Sequence, residues 1–479
     1  MSTITLGRYL WERLHQVGVD TILGVPGDFN LQFLDYIYEV EGLRWVGNAN
    51  ELNAAYAADG YARIKGVPGV VVTTHGVGEL SALNGIAGAH SEQVKVIHVV
   101  GQTTRKMQKD RMLIHHAISN DPDHKVYSKM SKLARVAEAE LDDINTAPAE
   151  IDRVIRECFI QSRPVYIFLP LDLSQETVPA SLLSTPLSLT PAIDASAQSA
   201  AASAILAALR AAANPSVFVD CLTQRHNAVG EARALVDALR LPVYASNMGK
   251  AIVDETHALY VGALNGKLAA PGVAEALGKS DVVLVLGDLP CDTNTGAFVA
   301  QTYYGSIGWS VPAALGSELA LEEMAAAKKR QGSPESPFAR GRTLLFVGDG
   351  SLGLTVQELG TMVQQGTRPV VFIINNKGYT IERIIHGANF SYNDVNRLSY
   401  QHLLPLFQHP SPATCYRRVA SKRELLAALA DPELRDPTQL QIVEVVMDRL
   451  DVPWRLMEII RSREGKGEEL GVEGFFGQD

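Results

Sequence analysis

Short apolar runs of strand length alternate with segments of helical periodicity along most of the chain. Apolar runs without polar alternation are typical of strands that are buried on both faces of a parallel sheet. The clearest predicted strands are residues 21–25, 69–74, 94–100, 164–170, 216–219, 241–244, 281–286, 343–347 and 370–374. This order of elements predicts an α/β fold built from doubly wound parallel sheets.

Changes in this pattern divide the 479 residues into three predicted domains and a tail. The domains cover residues 1–182, 195–300 and 303–461, and a charged tail covers residues 462–479. Residues 180–200, rich in Ser, Pro, Ala and Leu, are predicted to be a linker, and the alanine-rich residues 200–213 a helix. Residues 328–337 are polar and broken by proline, which predicts a surface loop.

Polar residues follow two of the predicted strands near the carboxyl end of the chain. Gly348-Asp349-Gly350 follows residues 343–347, Asn375-Asn376 follows residues 370–374, and the segment between them has helical spacing at residues 354–363. Parallel neighbouring strands would place Asp349 and Asn376 together at the ligand-binding edge of a sheet. A Gly-Asp-Gly sequence alone is more often a tight turn, but two oxygen ligands at this edge predict a magnesium–phosphate site.

Composition and charge exclude several classes of protein. The net charge is −10, from 43 basic and 53 acidic residues, and no dense basic cluster indicates nucleic-acid binding. The longest apolar runs are of strand length, and the first residues lack the features of a targeting signal, so we expect no membrane contact and a cytoplasmic location. The four cysteines have no paired spacing that would indicate disulfides or zinc.

Three polar features stand out in the first predicted domain. Glu51 begins a helix of small residues, where it could complement the helix dipole or be a buried acid that shares a proton with a ring nitrogen. Asp28 follows a predicted strand, as turn and capping residues often do. His115-His116 lies in a polar segment, which is typical of exposed histidines but also suits proton donors near neutral pH.

The order of these motifs resembles one family over most of the chain. The motifs are Gly27-Asp28-Phe29-Asn30, residues 50–63, His115-His116, residues 348–352 and residues 375–382. Together they resemble the thiamine diphosphate-dependent 2-oxo acid decarboxylases, and the fungal pyruvate decarboxylases are the most similar group within that family. The resemblance implies a pyrimidine-binding domain, a middle domain and a diphosphate-binding domain, each with a doubly wound parallel sheet.

The resemblance also implies a reaction and its catalytic residues. The reaction is the non-oxidative decarboxylation of a 2-oxo acid, with pyruvate going to acetaldehyde and CO2 through a carbanion and an enamine of thiamine diphosphate. Asp28, His115, His116 and Glu382 become the catalytic polar set. Glu51 becomes the activator of the cofactor, through its contact with the aminopyrimidine ring.

Further positions are implied to bind the cofactor and its metal. The implied magnesium ligands are Asp349, Asn376 and the Gly378 carbonyl. The implied cofactor-binding residues are Glu51, Thr74, Gly305, Ile307, Gly348, Asp349, Gly350, Ser351, Asn376, Gly378, Tyr379 and Ile381. In this family the two ends of the cofactor bind different subunits, which implies a homodimer or homotetramer with shared active sites. Thr74 and Asn84 would lie near that interface, where His75 is an unexpected polar residue.

One departure from the family pattern concerns the region between Phe298 and Tyr304, where only five residues stand. About a hundred residues are expected to be missing there, the size of a small domain. The middle and diphosphate-binding domains are therefore predicted to be truncated at their junction, which would expose a strand edge and an apolar face. Lys377 is a second departure, since it places a cation near the expected magnesium.

These departures leave alternatives to an active pyruvate decarboxylase. The internal deletion could make the chain a catalytically impaired homologue. Within the enzyme class, an aromatic or branched-chain 2-oxo acid decarboxylase is the second candidate, because side chains that cannot be placed from sequence set the width of the pocket. A carboligase is less favoured, because carboligases of this kind lack the paired histidines.

Overall fold

The computed structural model describes residues 2–265, 269–289, 301, 303–331, 341–386 and 388–452. The chain forms two compact units, Met1–Ser306 and Ile307–Asp479. Both are built on parallel sheets, so the predicted α/β class is confirmed. Among the described residues, no helix is both long and apolar enough to cross a bilayer.

The first unit begins with a six-stranded parallel sheet. The strands of this region are β1 (Thr3–Thr5), β2 (Thr21–Gly24), β3 (Arg44–Gly47), β4 (Gly69–Thr74), β5 (Val96–Gln102), β6 (Ala137–Glu140), β7 (Val165–Pro170) and β8 (Thr177–Pro179). The six-stranded sheet has the order β3-β2-β4-β5-β7-β6, and β1 pairs with β8 in a separate antiparallel ribbon. Every residue of the central strands β4, β5 and β7 is buried, as expected for a sheet covered on both faces.

Helices cover both faces of this sheet. They are α1 (Leu6–Gln16), α2 (Leu31–Asp35), α3 (Glu51–Lys65), α4 (Val77–Ser91), α5 (Arg105–Lys109), α6 (Val126–Ser131) and α7 (Ala147–Gln161), with 3-10 turns at Tyr36–Glu39, Lys132–Ala134, Leu173–Gln175 and Ala180–Ser184. The start of α3 is fixed by Asn50, whose side chain accepts a hydrogen bond from the amide of Asn53. Its end is set by Gly66 in the left-handed conformation, with φ of +80°.

A second parallel sheet in the same unit has the strand order β11-β10-β9-β12. Its elements are α8 (Ala195–Ala211), β9 (Pro215–Val219), α9 (Leu222–Arg225), α10 (Val229–Leu239), β10 (Val243–Ala245), β11 (Tyr260–Ala263), α11 (Val273–Leu277) and β12 (Val282–Leu286). Helix α8 begins within the predicted linker, because the Asp194 carboxylate caps it by accepting hydrogen bonds from the amides of Ser196 and Ala197.

The second unit holds a four-stranded parallel sheet of order β13-β14-β16-β15. Its elements are α12 (Ser310–Arg330), β13 (Leu344–Gly348), α13 (Asp349–Thr355), α14 (Glu358–Gln364), β14 (Val370–Asn375), α15 (Thr380–His386), α16 (Leu403–Leu406), β15 (Tyr416–Val419), α17 (Lys422–Leu429), α18 (Pro432–Arg435) and β16 (Gln441–Val446), with 3-10 turns at Ser391–Asn393 and Tyr400–His402. Two helices therefore stand where one was predicted at residues 354–363. Residues 328–330 of the predicted loop form the last turn of α12, and residues 332–340 and the predicted tail lie outside the described residues.

The strands that flank the predicted deletion have an uncovered face. Strand β13 is an edge strand, and Leu344 and Phe346 on one of its faces are 47% and 63% exposed. Strand β12 is the edge of its own sheet, and Val283 and Val285 are 38% and 46% exposed. The alternate residues Leu345 and Val347 of β13 are buried, and those of β12 are partly buried, so in each strand one face is more open than the other. The exposed edge and apolar face predicted from the sequence are found in the two sheets that contain β12 and β13.

Candidate active site

The predicted catalytic residues of the first unit follow consecutive strands of its large sheet. Asp28 follows β2, Glu51 follows β3, Thr74 ends β4, and His115 and His116 lie beyond β5. Because these strands are parallel, all their carboxyl ends meet at one edge, which is where α/β sheets bind ligands.

Asp28, His115 and His116 form one polar cluster at this edge. The His115 Nε2 atom lies 2.7 Å from the Asp28 Oδ2 atom. The centroids of the two histidine rings are 4.4 Å apart, and the His115 ring stacks on Phe29 at 5.3 Å. One side-chain N or O atom from each of the three polar residues lies within 4.8 Å of the others. A carboxylate this close to an imidazole can share a proton with it, so the cluster can hold and transfer protons.

Two residues of the α6 region hold the histidine segment in place. The Tyr127 hydroxyl donates a short hydrogen bond to the carbonyl of His116, whose φ of +69° is unusual for a residue other than glycine. The His124 Nε2 atom lies 2.9 Å from the carbonyl oxygen of Met112, and its Nδ1 atom lies 2.9 Å from the Thr103 hydroxyl. Neither residue was predicted from the sequence, because nothing in the local pattern indicates a contact with residues about twelve positions earlier.

His75 is buried directly behind this cluster. Its ring meets Phe29, His124 and Tyr127 at centroid distances of 5.7, 5.7 and 5.2 Å. Its Nδ1 atom lies 3.0 Å from the Gln102 Oε1 atom. Burial lowers the pKa of His75 to about 4, so the ring is neutral at pH 7. His75, which was unexpected as a polar residue in the sequence, is therefore an uncharged member of a layer of aromatic rings.

Glu79 lies near His75 and is completely buried. Its Oε2 atom accepts long hydrogen bonds, 3.5 Å each, from the amide of Gly76 and from Gln102 Nε2. Its Oε1 atom has no hydrogen-bond partner among the described residues. Burial raises the pKa of Glu79 to about 8, so this carboxyl group is mostly protonated at pH 7.

Glu51 and Thr74 lie close to each other at the same edge of the sheet, after β3 and at the end of β4. Glu51 is the first residue of α3 and is half-buried. Its position at the start of the helix complements the helix dipole, which is one of the two interpretations that the sequence allowed. Its Oε1 atom faces Gly78, where an added Cβ atom would lie only 3.3 Å away. The Thr74 Oγ1 atom is buried without a hydrogen-bond partner in the described part of the chain. The Glu51 carboxylate and the Thr74 hydroxyl are therefore available as an acceptor and a donor for a polar ligand.

The segment around Gly305 spans the boundary between the two units. In the first unit, the Glu92 Oε1 atom accepts hydrogen bonds from the amides of Tyr303 and Tyr304, at 2.7 and 3.1 Å. Gly305 has a φ of +68°, a conformation that favours glycine. Ile307, the first residue of the second unit, is 55% exposed. These contacts fix the backbone that precedes the predicted cofactor-binding positions.

The predicted magnesium ligands occupy neighbouring strand ends in the second unit. Strands β13 and β14 are parallel partners, and Asp349 and Asn376 follow them. Asp349 is buried, and its carboxylate accepts hydrogen bonds from the amides of Gly350 and Gly378, at 2.8 and 3.0 Å. Burial raises the pKa of Asp349. The Asn376 Oδ1 atom is buried and has no partner within the described residues.

Glycines and small side chains shape the loop around these ligands. A Cβ atom on Gly350 would lie 2.5 Å from the Tyr379 ring, and one on Gly378, whose φ is +130°, would overlap the carbonyl oxygen of Asn393. The Ser351 hydroxyl accepts a hydrogen bond from the amide of Gly308. Ile381 and Glu382 are exposed on α15. The unpartnered Asn376 oxygen, the oxygen ligand set and the tight loop fit a bound magnesium ion and its phosphate.

The chain is similar to known proteins over most of its length. Residues 4–126 match the domain family described as thiamine pyrophosphate enzyme, N-terminal TPP binding domain; residues 202–305 match its central domain and residues 269–422 its C-terminal TPP binding domain. The pyruvate decarboxylase of Kluyveromyces lactis is 37% identical over 569 aligned positions, which cover 96% of this chain and 98% of that protein. Pyruvate decarboxylases of Candida glabrata and Saccharomyces cerevisiae are 38% and 37% identical with the same coverage.

The chain belongs to the thiamine diphosphate-dependent pyruvate decarboxylase family. Its cofactors are accordingly thiamine diphosphate and Mg²⁺. Asp349 and Asn376 would hold the metal ion in this member of the pyruvate decarboxylase family, while Glu51 and Thr74 offer polar contacts in the first unit. The role of each site residue remains a prediction.

The alignment also bears on the predicted deletion. It spans 569 positions, 90 more than the 479 residues of the chain, so at least that many positions of the family relative have no counterpart here. The matches to the central and C-terminal domains overlap at residues 269–305, the region in which the sequence predicts the truncated junction. This member of the pyruvate decarboxylase family is therefore shorter than its relative by about the predicted length.

Proposed function

We propose that this chain decarboxylates pyruvate to acetaldehyde and CO2. The observation that carries the proposal is the cluster of Asp28, His115 and His116, which sits at the ligand-binding edge of the first sheet. The relatives at 36–38% identity that are named pyruvate decarboxylase support the choice of reaction and substrate.

The residues that bind the cofactor and its metal have different roles in this reaction. Thiamine diphosphate, when bound, supplies a nucleophilic carbon and an electron sink for the pair left by CO2. Asp349 and Asn376 hold the magnesium ion that anchors the diphosphate. Glu51 holds a proton at the aminopyrimidine ring of the cofactor.

Proton transfer to the product falls to the polar cluster. His115 is 58% exposed and Asp28 is 50% exposed, so both can exchange protons with solvent and with a ligand at the sheet edge. The Asp28 carboxylate orients the His115 imidazole, which can then transfer a proton to the product. His116 would bind the substrate carboxylate or the product oxygen, and Glu382 would be a second carboxylate near the reacting carbon.

The quaternary state and the location belong to the same proposal. A homodimer or homotetramer with active sites shared between subunits is supported by the family resemblance alone. The same is true of a cytoplasmic location. Size-exclusion chromatography with light scattering, with and without thiamine diphosphate and Mg²⁺, would test the first, and a monomer in both conditions would contradict it.

A decarboxylation assay tests the function. Purified full-length chain with thiamine diphosphate and Mg²⁺ is expected to release CO2 and acetaldehyde from pyruvate. His115→Phe is expected to lower kcat at least about a hundredfold, because it removes the proton donor. The matched control is His257→Phe, which breaks a similar histidine–aspartate contact with Asp237, 3.1 Å long, outside the predicted site; it should leave kcat unchanged.

Other outcomes of the same assay select the alternatives. A higher kcat/KM for phenylpyruvate than for pyruvate would make the chain an aromatic 2-oxo acid decarboxylase. A folded protein that binds both cofactors but turns over no 2-oxo acid would be a catalytically impaired homologue, the alternative that the open face of β13 favours.

A further inference from the structure

A cavity of about 420 Å³ lies beside one of the predicted magnesium ligands in the second unit. Asp349 lines one side of it. The charged residues around it are Lys377, Arg383, Asp394, Arg397 and Arg449. Four cationic side chains thus face two acidic ones. Both acids are already engaged, since the Asp349 carboxylate accepts two backbone amides and Asp394 pairs with Arg383.

Arg383 differs from the other three cations because it is buried. Its side chain is 1% exposed, whereas Lys377, Arg397 and Arg449 are exposed. The Arg383 Nη2 atom donates to the Lys377 carbonyl at 2.9 Å and to Asp394 Oδ1 at 2.6 Å. The Nε and Nη1 atoms are buried and have no hydrogen-bond partner among the described residues.

Buried guanidinium donors without partners are costly, because the group keeps its charge and loses its hydration. An oxyanion is the ligand that restores these bonds, and arginine forms its strongest hydrogen bonds with carboxylate and phosphate. Asp349 on the same cavity is a predicted ligand of the metal that holds the cofactor's diphosphate. The anion expected at this place is therefore a magnesium-bound diphosphate.

We propose that Arg383 is a diphosphate-binding residue, which donates hydrogen bonds from Nε and Nη1 to phosphate oxygens of the cofactor. Lys377, Arg397 and Arg449 give the cavity entrance a positive potential that attracts the same anion. Lys377, unfavourable beside a bare magnesium ion, then faces a ligand with a net negative charge. The inference rests on the cofactor of the family and not on the identity of the substrate.

Isothermal titration of the full-length chain with thiamine diphosphate, and separately with inorganic pyrophosphate, in excess Mg²⁺ tests the role of Arg383. Arg383→Met is expected to weaken both ligands by about ten- to a hundredfold, because hydrogen bonds to a charged group are lost. Arg383→Lys keeps the charge and should weaken them less. Arg423→Met, which removes an exposed cation of α17 that does not line the cavity, is the matched control and should change each affinity by less than about threefold.

Asp394→Asn separates ligand binding from a purely structural role of Arg383. It removes the charge that pairs with Arg383 but leaves the guanidinium in place, so both ligands should bind as tightly as to the unmodified chain or tighter. If Asp394→Asn weakens binding as much as Arg383→Met does, Arg383 only holds the loop and the proposal is wrong. Binding by Arg383→Met within twofold of the unmodified chain would also overturn it.

Two further outcomes complete the test. Weaker binding of pyrophosphate alone, with thiamine diphosphate unaffected, would assign the cavity to a free anion and contradict the proposal. If Arg383→Met does not fold by circular dichroism, Arg383→Lys decides, and unchanged affinity for both ligands would overturn the proposal. Because titration needs no turnover, a chain that binds the cofactor through Arg383 but decarboxylates nothing would contradict the proposed function only.

Discussion

Two adjacent asparagines at the end of β14 have different surroundings although they share one side-chain chemistry. The Asn375 Nδ2 atom donates to Glu444 Oε1 at 2.6 Å, so this residue ties β14 to β16. The Asn376 Oδ1 atom is buried and unpartnered among the described residues. A buried amide oxygen without a partner is unfavourable unless a ligand occupies it. Substituting each residue in turn is therefore expected to distinguish an effect on metal binding from an effect on stability.

Asn376→Leu is expected to weaken Mg²⁺-dependent binding of thiamine diphosphate by at least about a hundredfold, because a metal ligand is lost. Its free energy of unfolding should be unchanged or higher. Asn375→Leu is the control and should do the reverse: it removes the donor to Glu444 Oε1, while the Tyr416 hydroxyl still donates to Oε2, and it lowers the free energy of unfolding by about 1–3 kcal/mol. Titration calorimetry and urea unfolding measure the two effects. Equal cofactor affinity in both variants would show that Asn376 is not a ligand.

Glu79 predicts a dependence of stability on pH. Its pKa is raised from 4.5 to about 8 by burial, so between these values the folded protein holds a proton that the unfolded chain has released. The contribution of Glu79 to stability is thus intact below pH 4.5 and is lost as the pH rises toward 8. Glu79→Gln, which is neutral at every pH, is expected to increase the free energy of unfolding at pH 8 by as much as roughly 4 kcal/mol.

Urea unfolding of the unmodified chain and the Glu79→Gln variant from pH 4 to pH 8 measures this effect. The difference between the two proteins should be small at pH 4 and should grow steadily as the pH rises. A difference that is constant over the whole range would contradict the raised pKa.

Among the elements, α6 and the loop before it determine where the paired histidines lie. Tyr127 is in α6, and His124 lies just before it. Both rings also pack against His75, which follows β4. The histidine segment is thus fixed to the sheet through an aromatic layer, and the left-handed backbone of His116 is held by one hydrogen bond from Tyr127.

Tyr127→Phe is expected to lower kcat by about tenfold, because His115 and His116 lose a support for their position. The affinity for thiamine diphosphate should not change, since the affected bond joins Tyr127 to His116 and involves none of the predicted metal ligands. Steady-state kinetics and cofactor titration measure these quantities. Tyr392→Phe, at a residue that is 59% exposed, is the control. An unchanged kcat in Tyr127→Phe would show that Tyr127 does not position the paired histidines.

For the whole molecule, the shortened junction leaves hydrophobic surface open in each unit. Phe346 on β13 stacks on Phe372 at 4.7 Å, but the other side of its ring is exposed to solvent. Leu344 adds to the same open face. Exposed apolar surface on an edge strand favours association with other chains.

Phe346→Thr is expected to reduce both the fluorescence of bound anilinonaphthalene sulfonate and the rate of aggregation, because it makes the open face polar. The free energy of unfolding should fall by about 1 kcal/mol, since the stacking on Phe372 is lost. Leu133→Thr, which changes a 91% exposed residue that belongs to no strand, should affect neither dye binding nor aggregation. If the two variants behave alike, the face of β13 is not a site of association.

The apolar runs predicted nine of the sixteen strands found among the described residues, together with the parallel sheets and the positions at which polar residues follow the strands. Apolar runs report burial on both faces, and Asp349 and Asn376 follow such runs directly, so their place at a sheet edge could be predicted. The exposed face of β13 could be predicted as well, because a missing segment leaves its neighbour uncovered.

Which side chains come into contact depends on the tertiary structure and could not be predicted from the sequence. The contact between Asp28 and His115 joins residues 87 positions apart, and no periodicity reports a contact over that distance. The roles of His124, Tyr127 and Arg383 depend on the directions of their side chains, which follow from packing and not from spacing. The neutral state of His75 and the proton on Glu79 are likewise effects of burial, because a pKa shifts only when folding removes the group from water.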